Sequence, residues 1–180
     1  GCFERVYLFS KTAKSDHTWE LVLKYIRNTL NVPEEEPVFF ETFDPEVIAK
    51  LIDQQKRIIE YEKAHNFNKL HQICIIVDDF AGDEQVMRGK RGEAVKDLYL
   101  MGRHYGVNLI ASVQKWRLAS TVMRTQATSV FYFRARSMVD LEAFLRESSA
   151  LVPGGKKQLM EIYKVATADP HSFLTVDLLT

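Results

Sequence analysis

Cysteine is nearly absent. The two that occur, Cys2 and Cys74, are too few and too far apart for a disulfide framework or a cysteine-built zinc site. Cys74 lies inside an apolar run, where a small buried hydrophobe is its plain reading. Long hydrophobic stretches are missing too, since nothing approaches the roughly 18 apolar residues that cross a membrane. Gly1-Cys2-Phe3-Glu4-Arg5 has none of the features of a secretory signal. The expectation is an intracellular protein, or a piece of one, with no membrane partner. Repeats and low-complexity tracts are lacking, and nothing marks an internal domain boundary. At 180 residues and 46% hydrophobic, the chain has the material for one ordinary domain, 1–180, with a real core.

Net charge is the next absence, with 24 Lys and Arg against 24 Asp and Glu. The distribution is less even than the total. From Glu84 to Arg136, ten Lys and Arg stand against Glu84, Glu93 and Asp97, whereas Asn31 to Glu62 is acidic and carries Glu34-Glu35-Glu36. A basic second half suggests an anionic ligand, phosphate or nucleic acid. For any single lysine, a solvated helix face is the simpler reading.

What is present centres on Ile73-Cys74-Ile75-Ile76-Val77-Asp78-Asp79. Five apolar residues in a row, rich in Ile and Val, predict a strand buried on both faces, as in a parallel sheet covered by helices. Two carboxylates follow at its C-terminal end. In open α/β sheets ligands bind at that edge, so the pair is a site candidate, although Asp-Asp can also simply open a loop or cap a helix.

The other elements are read around that strand. Phe3 to Ser10 has strand composition. Ser15 or Asp16 can cap a helix through Trp19 and Tyr25, both read as packing residues, to Leu30, stopped before Pro33. Val38-Phe39-Phe40 is a short strand. Asp44-Pro45-Glu46 opens a helix running to about Ala64, with cap and first-turn proline in favoured places and a wet charged face. Arg88-Gly89-Lys90-Arg91-Gly92 reads as a mobile basic loop. A helix from Glu93 to Tyr105, closed by Gly106, precedes a second buried strand, Val107 to Val113, running into Gln114. The crossover spacing makes the two strands parallel. Ser129 to Arg134 reads as a third core strand. Helices over Met138 to Leu151 and Lys156 to Ala168 and a last strand over Ser172 to Leu178 complete the chain.

Ser10-Lys11-Thr12 invites comparison with a phosphate-binding loop, but that loop needs glycines before its Lys-Ser/Thr. None stands between Gly1 and Lys11, and Gly-x-x-x-x-Gly-Lys-Ser/Thr occurs nowhere. Gly154-Gly155-Lys156-Lys157 lies at a helix break with no strand before it.

The strand ends suit phosphoryl transfer from ATP, where the protein supplies positioning and charge stabilisation. Asp78 is the natural holder of hydrated magnesium, and Asp79 would orient or deprotonate the attacking water. Gln114 can sense the γ-phosphate or hold that water. A cation must offset transition-state charge, from this subunit or a neighbour; the candidates are Arg103, Arg124 and Arg117. A metal-dependent nuclease would need a third carboxylate, and none is suitably placed.

Taken together, the strand ending in Asp78-Asp79, Arg103-His104 ahead of the strand ending in Gln114, Val122-Met123-Arg124, and Phe3 to Ser10 as the strand after a P-loop resemble the poxvirus-type DNA-packaging ATPases of the FtsK/HerA division. The resemblance implies an α/β fold of the P-loop NTPase, RecA-like kind: a mostly parallel sheet flanked by helices, here without its P-loop strand, so incomplete at its N-terminus. It implies a Walker B role for Asp78, with ATP and magnesium as cofactors. It further implies a ring-like homo-oligomer translocating double-stranded DNA, with capsid proteins as possible partners, in the host cytoplasm or nucleus and in the virion. Arg88, Lys90 and Arg91 would contact DNA phosphates.

In such proteins the P-loop strand lies between the strand matched to Val107 to Val113 and the one matched to Val130 to Phe133. Without it the sheet must close up, gain a strand, or keep an exposed edge. The chain by itself is expected to bind ATP weakly or not at all. The competing reading is a degenerate P-loop-like scaffold or regulatory subunit, favoured by the missing loop and opposed by the two acids and Gln114.

Overall fold

A computed structural model describes residues 2–80 and 97–178, which fall into two compact units, Gly1–Val113 and Gln114–Thr180. In the first unit, strands β1 (Arg5–Ser10), β2 (Phe39–Phe40), β3 (Ile73–Asp78) and β4 (Val107–Ser112) form one sheet in the order β2-β1-β3-β4. All three strand pairings are parallel. Such a sheet needs cover on both faces, and its central strands show it: Leu8, Phe9 and Ile75 are fully buried and Cys74 nearly so. Burial pushes the Cys74 thiol up to about 11, in keeping with a buried hydrophobe.

Helix α1 (Thr18–Lys24) runs on as a π-helical turn, Tyr25–Thr29. Asp16 accepts from the Thr18 N–H at 2.8 Å. The wider turn brings Ile26 fully inward and leaves Tyr25 exposed, so Tyr25 is not the packing residue its spacing suggests. Helix α2 (Pro45–Ala64) begins as its sequence dictates, with the Asp44 carboxylate accepting from the Glu46 N–H at 2.9 Å and Pro45 in the first turn. Its polar face is not wholly wet. Gln55 and Glu62 are buried because both serve His71, just ahead of β3: Gln55 Nε2 donates to the His71 carbonyl at 2.9 Å, and Glu62 accepts from the His71 N–H at 2.7 Å. This lead-in to β3 is thereby fixed by two groups of α2.

Before β4, residues 97–101 are helical and tighten into a 3-10 turn, Gly102–Tyr105. Gly106 ends it at φ 67, where a Cβ would stand 2.5 Å from the His71 carbonyl oxygen; only glycine meets both demands. β4 is an edge strand among the described residues, with Asn108, Ile110 and Ser112 exposed.

The second unit holds β5 (Ser129–Phe133) and β6 (Phe173–Asp177), paired antiparallel, with helices α3 (Thr121–Gln126), α4 (Met138–Glu147) and α5 (Gly155–Ala166). Tyr132 and Leu174 of the ribbon pack with Phe144, Leu145 and Tyr163 of the helices in one core. Tyr132 stacks on Phe144 with centroids 3.9 Å apart. β5 is therefore not a third strand of the parallel sheet. Its other face carries Phe131 at 59% and Phe133 at 55% exposure; their hydrophobicity hides a period-two pattern that keeps only Val130 and Tyr132 on the core side. Gly154 and Gly155 open α5, and Lys156 pairs with Glu142, so this glycine pair serves a helix start.

Candidate functional site

Asp78 and Asp79 stand where β1, β3 and β4 end together. In register, Ser10 of β1, Asp78 of β3 and Ser112 of β4 lie in one row, a carboxylate flanked by a serine on either neighbouring strand. Ser10 is 1% exposed and donates from Oγ to Asp78 Oδ2 at 3.1 Å. The chain then turns. Asp79 is exposed and adopts φ 59, a left-handed conformation that Asp tolerates better than most residues.

Phe80 holds this turn from the far side. It is 4% exposed and continues an aromatic series from β1 and β2: Phe80 against Phe43 at 5.8 Å, Phe43 against Phe9 at 5.6 Å, and Phe9 stacked on Phe40 at 4.7 Å. Lys11 Nζ sits 5.3 Å above the Phe80 ring. A buried apolar side chain thus follows the second acid directly, while Asp79 itself is exposed.

No group of three or more His, Cys, Asp or Glu side chains able to cage a metal occurs among the described residues. Magnesium at a nucleotide site does not need one, because one or two carboxylates share it with phosphate oxygens and water. Asp78, partly exposed and oriented by Ser10, fits that demand.

Arg103 stands elsewhere. It is exposed in the turn that precedes β4, while Asp78 lies at the level of Ser112, the last residue of β4. Five residue steps of strand separate the two ends, roughly 17 Å. Asp78 and Arg103 of one chain therefore occupy opposite edges of the sheet.

Gln114, exposed, opens the second unit. The turn after it is pinned by Asp140, a buried carboxylate accepting from the Trp116 N–H at 2.9 Å, the Arg117 N–H at 3.1 Å and the Tyr132 hydroxyl at 3.2 Å. Burial and the neighbouring Asp140 charge hold the Tyr132 phenol above its ordinary range. Arg124 is engaged in the same neighbourhood. Its Nε donates to Glu147 at 2.8 Å, its Nη1 bonds the Ala119 carbonyl, and its guanidinium lies 5.8 Å from the Trp116 ring. Glu147 also accepts from Trp116 Nε1 at 3.0 Å. Arg117 is exposed. Arg88, Lys90 and Arg91 lie outside the described residues.

Asp140 and Glu147 escape a reading of the sequence, where they look like ordinary helix residues until their partners are seen; Ser10 enters it only through the comparison of Ser10-Lys11-Thr12 with a phosphate-binding loop, and its pairing with Asp78 shows only in the sheet.

Against known proteins, the family model described as "Poxvirus A32 protein" matches residues 37–175. The chain is 23% identical over 142 residues to the uncharacterized protein 075L of Invertebrate iridescent virus 6, an alignment that covers 78% of this chain and 51% of that protein. It spans about half the length of that curated relative. Among solved structures it is similar to the genome packaging NTPase B204 of Sulfolobus turreted icosahedral virus 2, determined in complex with AMP, at TM-score 0.54 and 20% identity over 99% of this chain and 94% of that one. It is also similar to the pCW3 conjugation coupling protein TcpA with ATPgS, at TM-score 0.50 and 14% identity over 84% of this chain and 44% of that one. These likenesses show an α/β fold of the P-loop ATPase kind. The match over 37–175 shows that the chain belongs to the Poxvirus A32 protein family.

Proposed function

We propose that this member of the Poxvirus A32 family is the Walker B and sensor part of an ATP-driven motor that packages double-stranded viral DNA. The observation that carries the reading is the Asp78-Asp79 pair at the carboxyl edge of a parallel sheet, where such folds bind ligands. Family membership and the likeness to a packaging NTPase support it.

In this reading Asp78 holds magnesium and Asp79, exposed on its turn, accepts the proton of the attacking water. The ion, when bound with nucleotide, offsets charge on the phosphate oxygens. Gln114 holds the water or reads the γ-phosphate. Arg103, at the opposite sheet edge from Asp78 of its own chain, serves a neighbouring subunit's site, which makes a ring of identical subunits part of the mechanism. Arg124 contributes only where its Glu147 pairing is exchanged. The glycine-rich phosphate cradle comes from polypeptide outside residues 1–180, so 1–180 is one incomplete P-loop ATPase domain. Arg88, Lys90 and Arg91 contact DNA phosphates, capsid proteins receive the motor, and it works inside the infected cell.

The test is ATP hydrolysis by the full-length protein with and without double-stranded DNA. Hydrolysis stimulated by DNA and lowered at least about 100-fold by Asp79→Asn is the expected result. Hydrolysis indifferent to Asp79 would remove the catalytic assignment, and no hydrolysis at all would favour a scaffold.

A further inference from the structure

Ser10 is an unusual residue for its place. It closes a strand whose neighbours Leu8 and Phe9 are fully buried, and is itself 1% exposed. A hydroxyl buried there is costly unless it is hydrogen-bonded, and alanine would fill the position with no polar group to satisfy. The bonds it makes have a fixed direction. Ser10 Oγ donates to Asp78 Oδ2 at 3.1 Å, which uses the single hydroxyl proton it has. Ser10 Oγ is then an acceptor toward everything else. It receives the Thr12 N–H at 3.3 Å, and the contact with Thr12 Oγ1 at 3.2 Å must have Thr12 as donor. The result is an ordered chain, Thr12 to Ser10 to Asp78. It runs from an exposed turn through a buried hydroxyl to the acid.

We propose that Ser10 is a positioning residue for Asp78: its hydroxyl holds the carboxylate in one orientation through Oδ2 and leaves the remaining acceptor capacity for a divalent cation that arrives with nucleotide. The inference rests on the ATPase reading and names the residue that prepares its metal-holding group. Groups that orient a metal ligand are worth about 10- to 100-fold in metal affinity. Thr12 fixes the Ser10 rotamer in turn, by two bonds to one oxygen.

The experiment uses the full-length protein as wild type, Ser10→Ala and Ser10→Thr. Free Mn²⁺ is followed by electron paramagnetic resonance during titration at fixed ATPγS, and ATPγS affinity is measured separately in EDTA. Ser10→Ala should weaken Mn²⁺ binding about tenfold or more with its metal-free nucleotide affinity and melting temperature unchanged, while Ser10→Thr, which keeps the hydroxyl, stays near wild type. Mn²⁺ affinity of Ser10→Ala within twofold of wild type would overturn the inference and leave the ATPase reading standing. An equal fall in metal-free nucleotide affinity, with a lowered melting temperature, would also overturn it, by making Ser10 merely structural. A wild type that binds no Mn²⁺ with ATPγS would overturn the ATPase reading and this inference together.

Discussion

Ser10 and Asp78 stand opposite each other on adjacent parallel strands, joined side chain to side chain at 3.1 Å. One strand supplies the acid and its neighbour supplies the group that aims it, although the two are 68 positions apart in the chain. The same strand geometry decides which other groups can reach that acid. Ser112, at the end of β4, is level with it. Arg103, before the start of β4, is not.

That separation leads to a prediction about subunits. Arg103→Ala and Asp79→Asn should each lower ATP hydrolysis by at least about 100-fold when pure. Mixed, the two variants should regain activity, because some sites would pair an intact Asp79 with a neighbour's intact Arg103. Steady-state hydrolysis across a mixing series checks this. A mixture no more active than its parts would place both residues in one subunit's site or remove Arg103 from the chemistry.

Gly106 supports β3 and β4 indirectly. Its φ of 67 and the His71 carbonyl 2.5 Å from any Cβ mean that Gly106→Ala must both strain the backbone and displace the lead-in to β3. A loss of about 2 kcal/mol or more is expected, measured by urea unfolding. A loss under about 0.5 kcal/mol would show that the turn relaxes freely.

How far the sequence discloses this arrangement depends on the kind of interaction. The buried strand Ile73 to Val77 and the cap at Asp44-Pro45 are local signals, and the structure has them where the residues place them. The parallel pairing of β3 with β4 follows from crossover spacing. β5 was harder to read, since Phe131 and Phe133 are apolar yet exposed, and an unbroken apolar run does not reveal that only one face is covered. The burial of Glu62 and Asp140 depends on backbone N–H groups of distant segments, for which composition holds no clue. The place of Asp78 at the end of its strand was legible because the apolar run before it is a local signal; Ser10, its partner across the sheet, becomes visible only once the strands are paired.

Cys74 gives a prediction in pH. Burial raises its thiol from 9.0 to about 11, so the unfolded chain loses this proton first as pH rises. The contribution to stability is complete below the unfolded value and is lost between about pH 9 and pH 11. Exposed Cys2 should react with a thiol reagent at once at pH 8, and Cys74 only at the rate of unfolding. Cys74→Ala should flatten the alkaline fall in the melting temperature of Cys2→Ala protein. Two equally fast thiols in the native wild type would contradict the burial of Cys74.

The most direct measurement is calorimetry of magnesium-ATP binding to residues 1–180 alone and to the chain extended upstream in its parent reading frame, with Asp79→Asn in the extended form. Residues 1–180 should bind weakly or not at all, the extended chain should bind, and its Asp79→Asn variant should bind without hydrolysing. An extended chain that binds no magnesium-ATP would contradict the account, leaving Asp78 and Asp79 as the structural end of a strand in a scaffold protein.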